Sequence, residues 1–260
     1  MTTATPPPIW TKTVDRPLRS FGQSAGVWLF ARLMGVPVPW CAVRQTDPEA
    51  LLAYEHQRLL ALAAAGEAVP PVLAFDGRSL TTGDVGTTLE RLLHRLPEDE
   101  RLPLMCAAGA DLAGFHARGH WHGGAQARNL TWDGTRFARI DFEEPLHPAM
   151  PLPTVQLYDA LQLVMSLARF LEPFGPQAVR TVLSAYQRAR EAAAAGAGQT
   201  PPDLPGFIRH LLPRLRAVQR VAESLPRLRR AREVVRLCTV LDGMAAFAAA
   251  DGLTSSPSRC

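Results

Sequence analysis

Residues 120–143 read His-Trp-His-Gly-Gly-Ala-Gln-Ala-Arg-Asn, then a short run, then Ile-Asp-Phe-Glu. No other stretch of the chain restricts its fold as much. Asp133-Gly134 separates Asn129–Trp132 from Arg136–Asp141, the signature of a tight β-hairpin. Asn129 and Asp141 stand at the two ends of that hairpin. Both offer hard oxygen atoms of the kind that bind hard cations. The loop that feeds the hairpin begins at His122, passes through Gly123 and Gly124, and holds Gln126 and Arg128.

Around this segment the punctuation predicts an α+β chain, with strands in the first third and helices after it. Ser24–Met34 has helical spacing, with Ser24 as N-cap and Gly35 as stop. Val36–Arg44 reads as a strand. Asp47-Pro48-Glu49 is a strong helix start, and that helix runs to about Ala65. Val69–Ala74 and Ser79–Asp84 pair around Asp76-Gly77. Gly83–Gly86, which includes Asp84, is a crossing before a helix near Thr88–Arg95. Helices follow over Leu104–Arg118, Val155–Leu171, Gln177–Ala194, Phe207–Glu223 and Pro226–Ala250. Pro145–Pro153 is a connector. The resulting division is a flexible arm at 1–10, a first unit at 11–86, a helical core at 87–195, a linker at 196–206, closing helices at 207–250 and a tail at 251–260.

Lys12 is the only lysine, so the net charge of +4 is almost wholly arginine. A lone ammonium in an arginine-rich chain points to a role that guanidinium fills badly. No run approaches the roughly 18 apolar residues of a membrane span. Met1–Pro8 lacks the basic start and apolar run of a secretory signal, so a cytoplasmic location is expected. Cys41, Cys106, Cys238 and Cys260 show no CxxC spacing and read as reduced, mostly buried thiols. His116, His120 and His122 form either part of a metal site or, for His122, a structural residue packing near Phe142. The C-terminal helices carry Arg214, Arg216, Arg220, Arg227, Arg229, Arg230, Arg232 and Arg236. This is a solvated face or a surface for anionic lipid or RNA, which would place the protein at the periphery of the inner membrane.

The order His122, Asn129, Ile140-Asp141-Phe142 resembles the protein-kinase-like superfamily. Its closest likeness is to the compact bacterial and archaeal branches, the lipopolysaccharide-core kinases and the kinase subunit of the KEOPS complex. The likeness extends from about Glu55 to Arg169. It implies a two-lobed fold with a small N-lobe of sheet and helices and a mainly helical C-lobe. It implies ATP and Mg2+ as ligands, with Asn129 and Asp141 holding the metal. It implies a glutamate, Glu55, that pairs with an ATP-binding cation, either Lys12 or Arg44, and an aspartate, Asp159, that supports the loop. Asp84 falls in the stretch that would meet the nucleotide, and Phe21–Gly26 is a candidate phosphate cradle at a helix N-terminus.

The chain departs from that pattern at Gly124, where the family carries its catalytic-base aspartate, and at Glu143, where it carries glycine. Gln126 and Arg128 are the loop residues able to position a hydroxyl or meet a phosphate, and Glu143 or Glu144 is the candidate replacement base. The expectation is therefore phosphoryl transfer from ATP to a hydroxyl on a sugar, a small molecule or a protein serine. The alternative is a pseudokinase that binds or scaffolds without chemistry.

Overall fold

Strand pairing joins distant parts of the chain before any helix packs on them. In the computed structural model, residues 9–15, 20–33, 35–44, 46–147, 149–198, 200–224 and 231–254 are described. The first sheet has the order β1-β3-β2, from β1 (Ile9–Thr13), β2 (Val72–Phe75) and β3 (Ser79–Gly83). All pairings are antiparallel, and Lys12 lies opposite Leu80. The β2–β3 turn is closed by Asp76, whose carboxylate accepts from the amides of Arg78 and Ser79 at 2.8 and 2.6 Å. Gly77 supplies the positive φ that such a turn needs.

Helix α1 (Phe21–Leu33) and the single turn α2 (Trp40–Val43) precede α3 (Pro48–Ala64). Asp47 caps α3 by accepting from the amides of Glu49 and Ala50, both at 3.0 Å, and Pro48 fits the first turn. Leu52, Glu55, Leu59 and Leu62 recur at helical spacing and are the buried face of α3, which packs on β2 and β3. Each of the three leucines contributes about 1.5–3 kcal/mol by burial. Glu55 is the polar exception on that face.

Gly83–Gly86 then crosses to a second sheet, β4 (Thr87–Thr88), β5 (Leu130–Trp132) and β6 (Phe137–Arg139), in that order. The crossing is pinned to β5, with Thr131 Oγ1 donating to the Val85 carbonyl at 2.8 Å. Gly86 has φ +104°, and a Cβ there would lie 2.6 Å from the Trp132 carbonyl oxygen. Only glycine meets both conditions.

The helical part comprises α4 (Leu89–Arg95), α5 (Glu98–Ala117), α6 (Leu152–Ser166), α7 (Ala168–Leu171), α8 (Pro176–Ala197), α9 (Leu204–Ser224) and α10 (Arg232–Thr254). α8 packs against α5 and α10, and α10 also packs against α9. Close approach of α10 to α8 depends on Gly243, where a Cβ would sit 2.4 Å from Val179. One continuous core runs from Leu59 and Leu80 through Leu112, Phe115 and Leu161 to Leu241. Among the described residues, no helix is long and apolar enough to cross a membrane.

Several expectations change. Ile9 and Trp10 belong to β1 rather than to an arm, and residues 1–8 lie outside the described residues. Val36–Arg44 is not a strand, since Trp40–Val43 forms a helical turn behind Pro39. α1 begins three residues before Ser24. The linker is shorter than 196–206, because α8 runs to Ala197 and α9 begins at Leu204. The thiols are not mostly buried: Cys41 is exposed, Cys106 and Cys238 are half-buried, and Cys260 lies outside the described residues.

Candidate functional site

A cavity of about 980 Å³ opens beneath the first sheet, between α3 and the end of the 129–141 hairpin. Lys12 enters it from β1. Its Nζ donates to both oxygens of Glu55, at 2.8 and 2.9 Å, to Asp141 Oδ1 at 2.6 Å and to Glu143 Oε1 at 3.0 Å. Glu55 is 3% exposed, whereas the Lys12 side chain is 27% exposed. Burial opposes charging Lys12, yet the three carboxylates outweigh it and raise the ammonium's pKa above its ordinary value. Burial likewise raises the pKa of Glu55, and Lys12 opposes that rise. The carboxylates of Glu55, Asp141 and Glu143 come within 4.8 Å of one another, a spacing that hard cations also use, and the Lys12 ammonium sits among them.

Asn129 and Asp141 both line this cavity. Asn129 Nδ2 donates to the Gly124 carbonyl at 2.9 Å, which leaves its carboxamide oxygen as the atom suited to a cation. Asp141 has φ +70° and is the one non-glycine residue with positive φ among those described. That conformation costs about 1 kcal/mol or more and tends to persist where the surroundings require it. Arg128 and Asp84 are further lining residues. Asp84 accepts from Trp10 Nε1 at 3.3 Å and from the Gly86 amide at 3.2 Å, which ties β1 to the crossing. Ser20, immediately before α1, also reaches the wall, but among the described residues none of Phe21–Gly26, the candidate phosphate cradle, lines this cavity.

The 122–129 loop is held from behind by Asp159 of α6, which accepts from the amides of His122 and Gly123 at 2.6 and 2.8 Å. His122 Nε2 meets the Ile140 carbonyl at 3.0 Å, and its Nδ1 accepts from the Gly124 amide at 3.1 Å. Those two partners require the neutral tautomer protonated on Nε2. Burial takes the His122 pKa down to about 4, and the ring stacks on Phe142 at 4.5 Å. His116 bonds Asp159 and the Tyr186 hydroxyl, at 3.3 and 2.7 Å, and His120 lies 3.4 Å from Glu67. His116 and His122 therefore serve the loop, His120 pairs with Glu67, and none of the three belongs to a metal-ligand cluster among the described residues. Arg58 of α3 stacks over Trp121 and donates to its carbonyl at 2.9 Å, coupling α3 to the same loop.

The cation on Glu55 is Lys12 and not Arg44, which lies over the Phe21 ring instead. Gln126 does not line the large cavity. With Gly123 and Gly124 it lines a second, smaller one. Glu143 bonds Lys12, so it serves the ion-pair cluster, whereas Glu144 lies against Gly124. Gln162 of α6 also borders the second cavity, and in sequence a glutamine inside an apolar helix carries no signal of such a place. Arg216 pairs with Asp242 and Arg236 with Glu172 and Glu233, so part of the basic C-terminal face is neutralised internally. Arg227, Arg229 and Arg230 lie outside the described residues. No protein-family model matches this chain, and no curated protein matches it significantly.

Proposed function

We infer that this chain is a kinase-like phosphotransferase that binds ATP with magnesium in the large cavity and passes the γ-phosphoryl group to a hydroxyl. The observation that carries this reading is the convergence on one cavity of Lys12, Glu55, Asn129 and Asp141, drawn from three separate parts of the chain, β1, α3 and the 129–141 hairpin. An ammonium braced by a buried carboxylate is a point charge suited to phosphate. Asn129 and Asp141 would hold the metal, which when bound supplies neutralisation of phosphate charge. Residues Gly83–Gly86 line the same cavity, where a base could lie. In this reading the first sheet with α3 forms a small lobe above the cavity, and the second sheet with the helices from α4 onward forms the second lobe below it. Most of the acceleration of phosphoryl transfer comes from positioning and electrostatics, so loss of the aspartate at 124 is compatible with turnover.

The second reading, a nucleotide-binding scaffold, draws on Gly124 itself. Thermal shift with ATP, with and without Mg2+, tests the shared part. Saturating Mg·ATP at about 100 Kd should stabilise the protein by about 2.7 kcal/mol, and Asp141→Ala should lose that response while staying folded. No response of the wild type at millimolar Mg·ATP refutes both readings. ATP hydrolysis by the same sample then separates enzyme from scaffold.

A further inference from the structure

We propose that the second cavity binds the phosphoryl acceptor, a small uncharged alcohol with an apolar body, and that Glu144 and Gln162 Oε1 share its single hydroxyl proton in a three-centre hydrogen bond. This deepens the phosphotransferase reading and rests on it. The cavity measures about 360 Å³, within the range of small-molecule sites. The 122–129 loop contributes to both cavities: Arg128 and Asn129 face the large one, and Gly124 and Gln126 the small one.

Two observations give the small cavity its chemistry. The first is Gln162, which is 9% exposed. Its Nε2 donates to the Gly123 carbonyl at 3.1 Å, which fixes the amide's orientation. Its Oε1 is buried with no hydrogen-bond partner. A buried acceptor of this kind is costly unless a donor reaches it, and Gln162 is one of the residues that line the cavity. The second is Glu144, also 9% exposed. Its Cγ lies 3.6 Å from where a Cβ on Gly124 would stand. Its Cβ and carbonyl lie 2.7 and 2.9 Å from where a Cβ on Gly123 would stand, and Gly123 has φ +89°. The Gly123-Gly124 pair therefore makes room for Glu144, and a carboxylate arrives beside position 124 along a different stretch of backbone.

The remaining walls include Val27, Val38, Val43 and Met165, which select an apolar body. A carboxylate and an amide oxygen at one end select a donor and disfavour an anion. During transfer the acceptor oxygen would bond to the γ-phosphorus of a nucleoside triphosphate as the bridging P–O bond breaks. The nucleoside diphosphate keeps that electron pair, and the hydroxyl proton passes to the Glu144 carboxylate.

The test uses the full ¹⁵N-labelled chain with benzyl alcohol as probe and benzoate as the anionic control. Benzyl alcohol should shift the amides of Gly123 and Gly124 and the side-chain amide of Gln162, and benzoate should not. Glu144→Gln and Gln162→Leu should each weaken binding about tenfold, with Gln162→Met as the substitute should the leucine variant not fold. ADP release from Mg·ATP should rise with benzyl alcohol in the wild type and lose that rise in Glu144→Gln. Shifts elsewhere, equal binding of benzoate, or undiminished affinity in both variants overturns the proposal. Mg·ATP stabilisation on the same samples keeps the two ideas apart. Nucleotide binding without alcohol binding overturns the acceptor site alone, and alcohol binding without nucleotide binding overturns the transferase role.

Discussion

Replacing Lys12 by Met removes the charge at the centre of the cluster while keeping a side chain of similar length. Glu55 then stays buried without its two bonds of 2.8 and 2.9 Å. Breaking a buried pair by deleting one partner costs about 3–5 kcal/mol. Like charges 4.8 Å apart, the spread of the three carboxylates, repel by roughly 3 kcal/mol at an effective dielectric of about 20. Two features lower the total. Lys12 is 27% exposed, and Asp141 and Glu143 are each 27% exposed, so both can turn toward water. The expected loss is about 2–3 kcal/mol at pH 7.5, or about 5–10 °C in Tm. The pH dependence has a definite sign. Without Lys12, burial and neighbouring carboxylates hold the folded pKa of Glu55 above its unfolded value. A carboxyl with a raised folded pKa destabilises at high pH, and the penalty shrinks as pH falls through that pKa and is gone below the unfolded value. The deficit of Lys12→Met should therefore shrink from pH 7.5 to pH 5. Glu55→Gln added to Lys12→Met should recover at least about 1.5 kcal/mol. Urea titrations of the four proteins of the double-mutant cycle measure this directly. A coupling energy below about 0.5 kcal/mol, or a deficit that grows on acidification, refutes the reasoning.

Three further outcomes can be checked. Gly124→Asp should lower ATP turnover in the wild-type background, where its carboxylate meets Glu144, and raise it in Glu144→Ala; coupled ADP release reads both. His122 is neutral when folded, with a pKa of about 4, so the unfolded chain binds its proton first and stability falls as pH drops from about 6.5 towards 4. The loss reaches about 3 kcal/mol from this group, and it should be absent in a folded His122→Gln variant followed by denaturant titration across that range. Gly86→Ala places a Cβ against the Trp132 carbonyl in a left-handed backbone, so calorimetry should show a loss of about 2 kcal/mol or more.

Local chemistry settled a good part of this protein before any folding was considered. The Asp47-Pro48 helix start, the Asp76-Gly77 and Asp133-Gly134 turns and the Asn129 and Asp141 oxygens are all decided by residues within a few positions of one another. So is the spacing of Leu52, Leu59 and Leu62, which fixes the buried face of α3 and with it the inward direction of Glu55. The partner of Glu55 is another matter. Residue type favours Lys12, whereas Arg44 is the nearer in sequence. Lys12 takes the place because β1 pairs with β3, a contact between residues 68 positions apart that no local pattern encodes. Val36–Arg44 failed as a strand for the related reason that an apolar run takes its conformation from the surface it packs on. Gly124 shows the limit most plainly. In sequence it is a missing carboxylate. Only the fold, turning the chain after Asp141 through its positive φ, brings Glu144 against the space beside it.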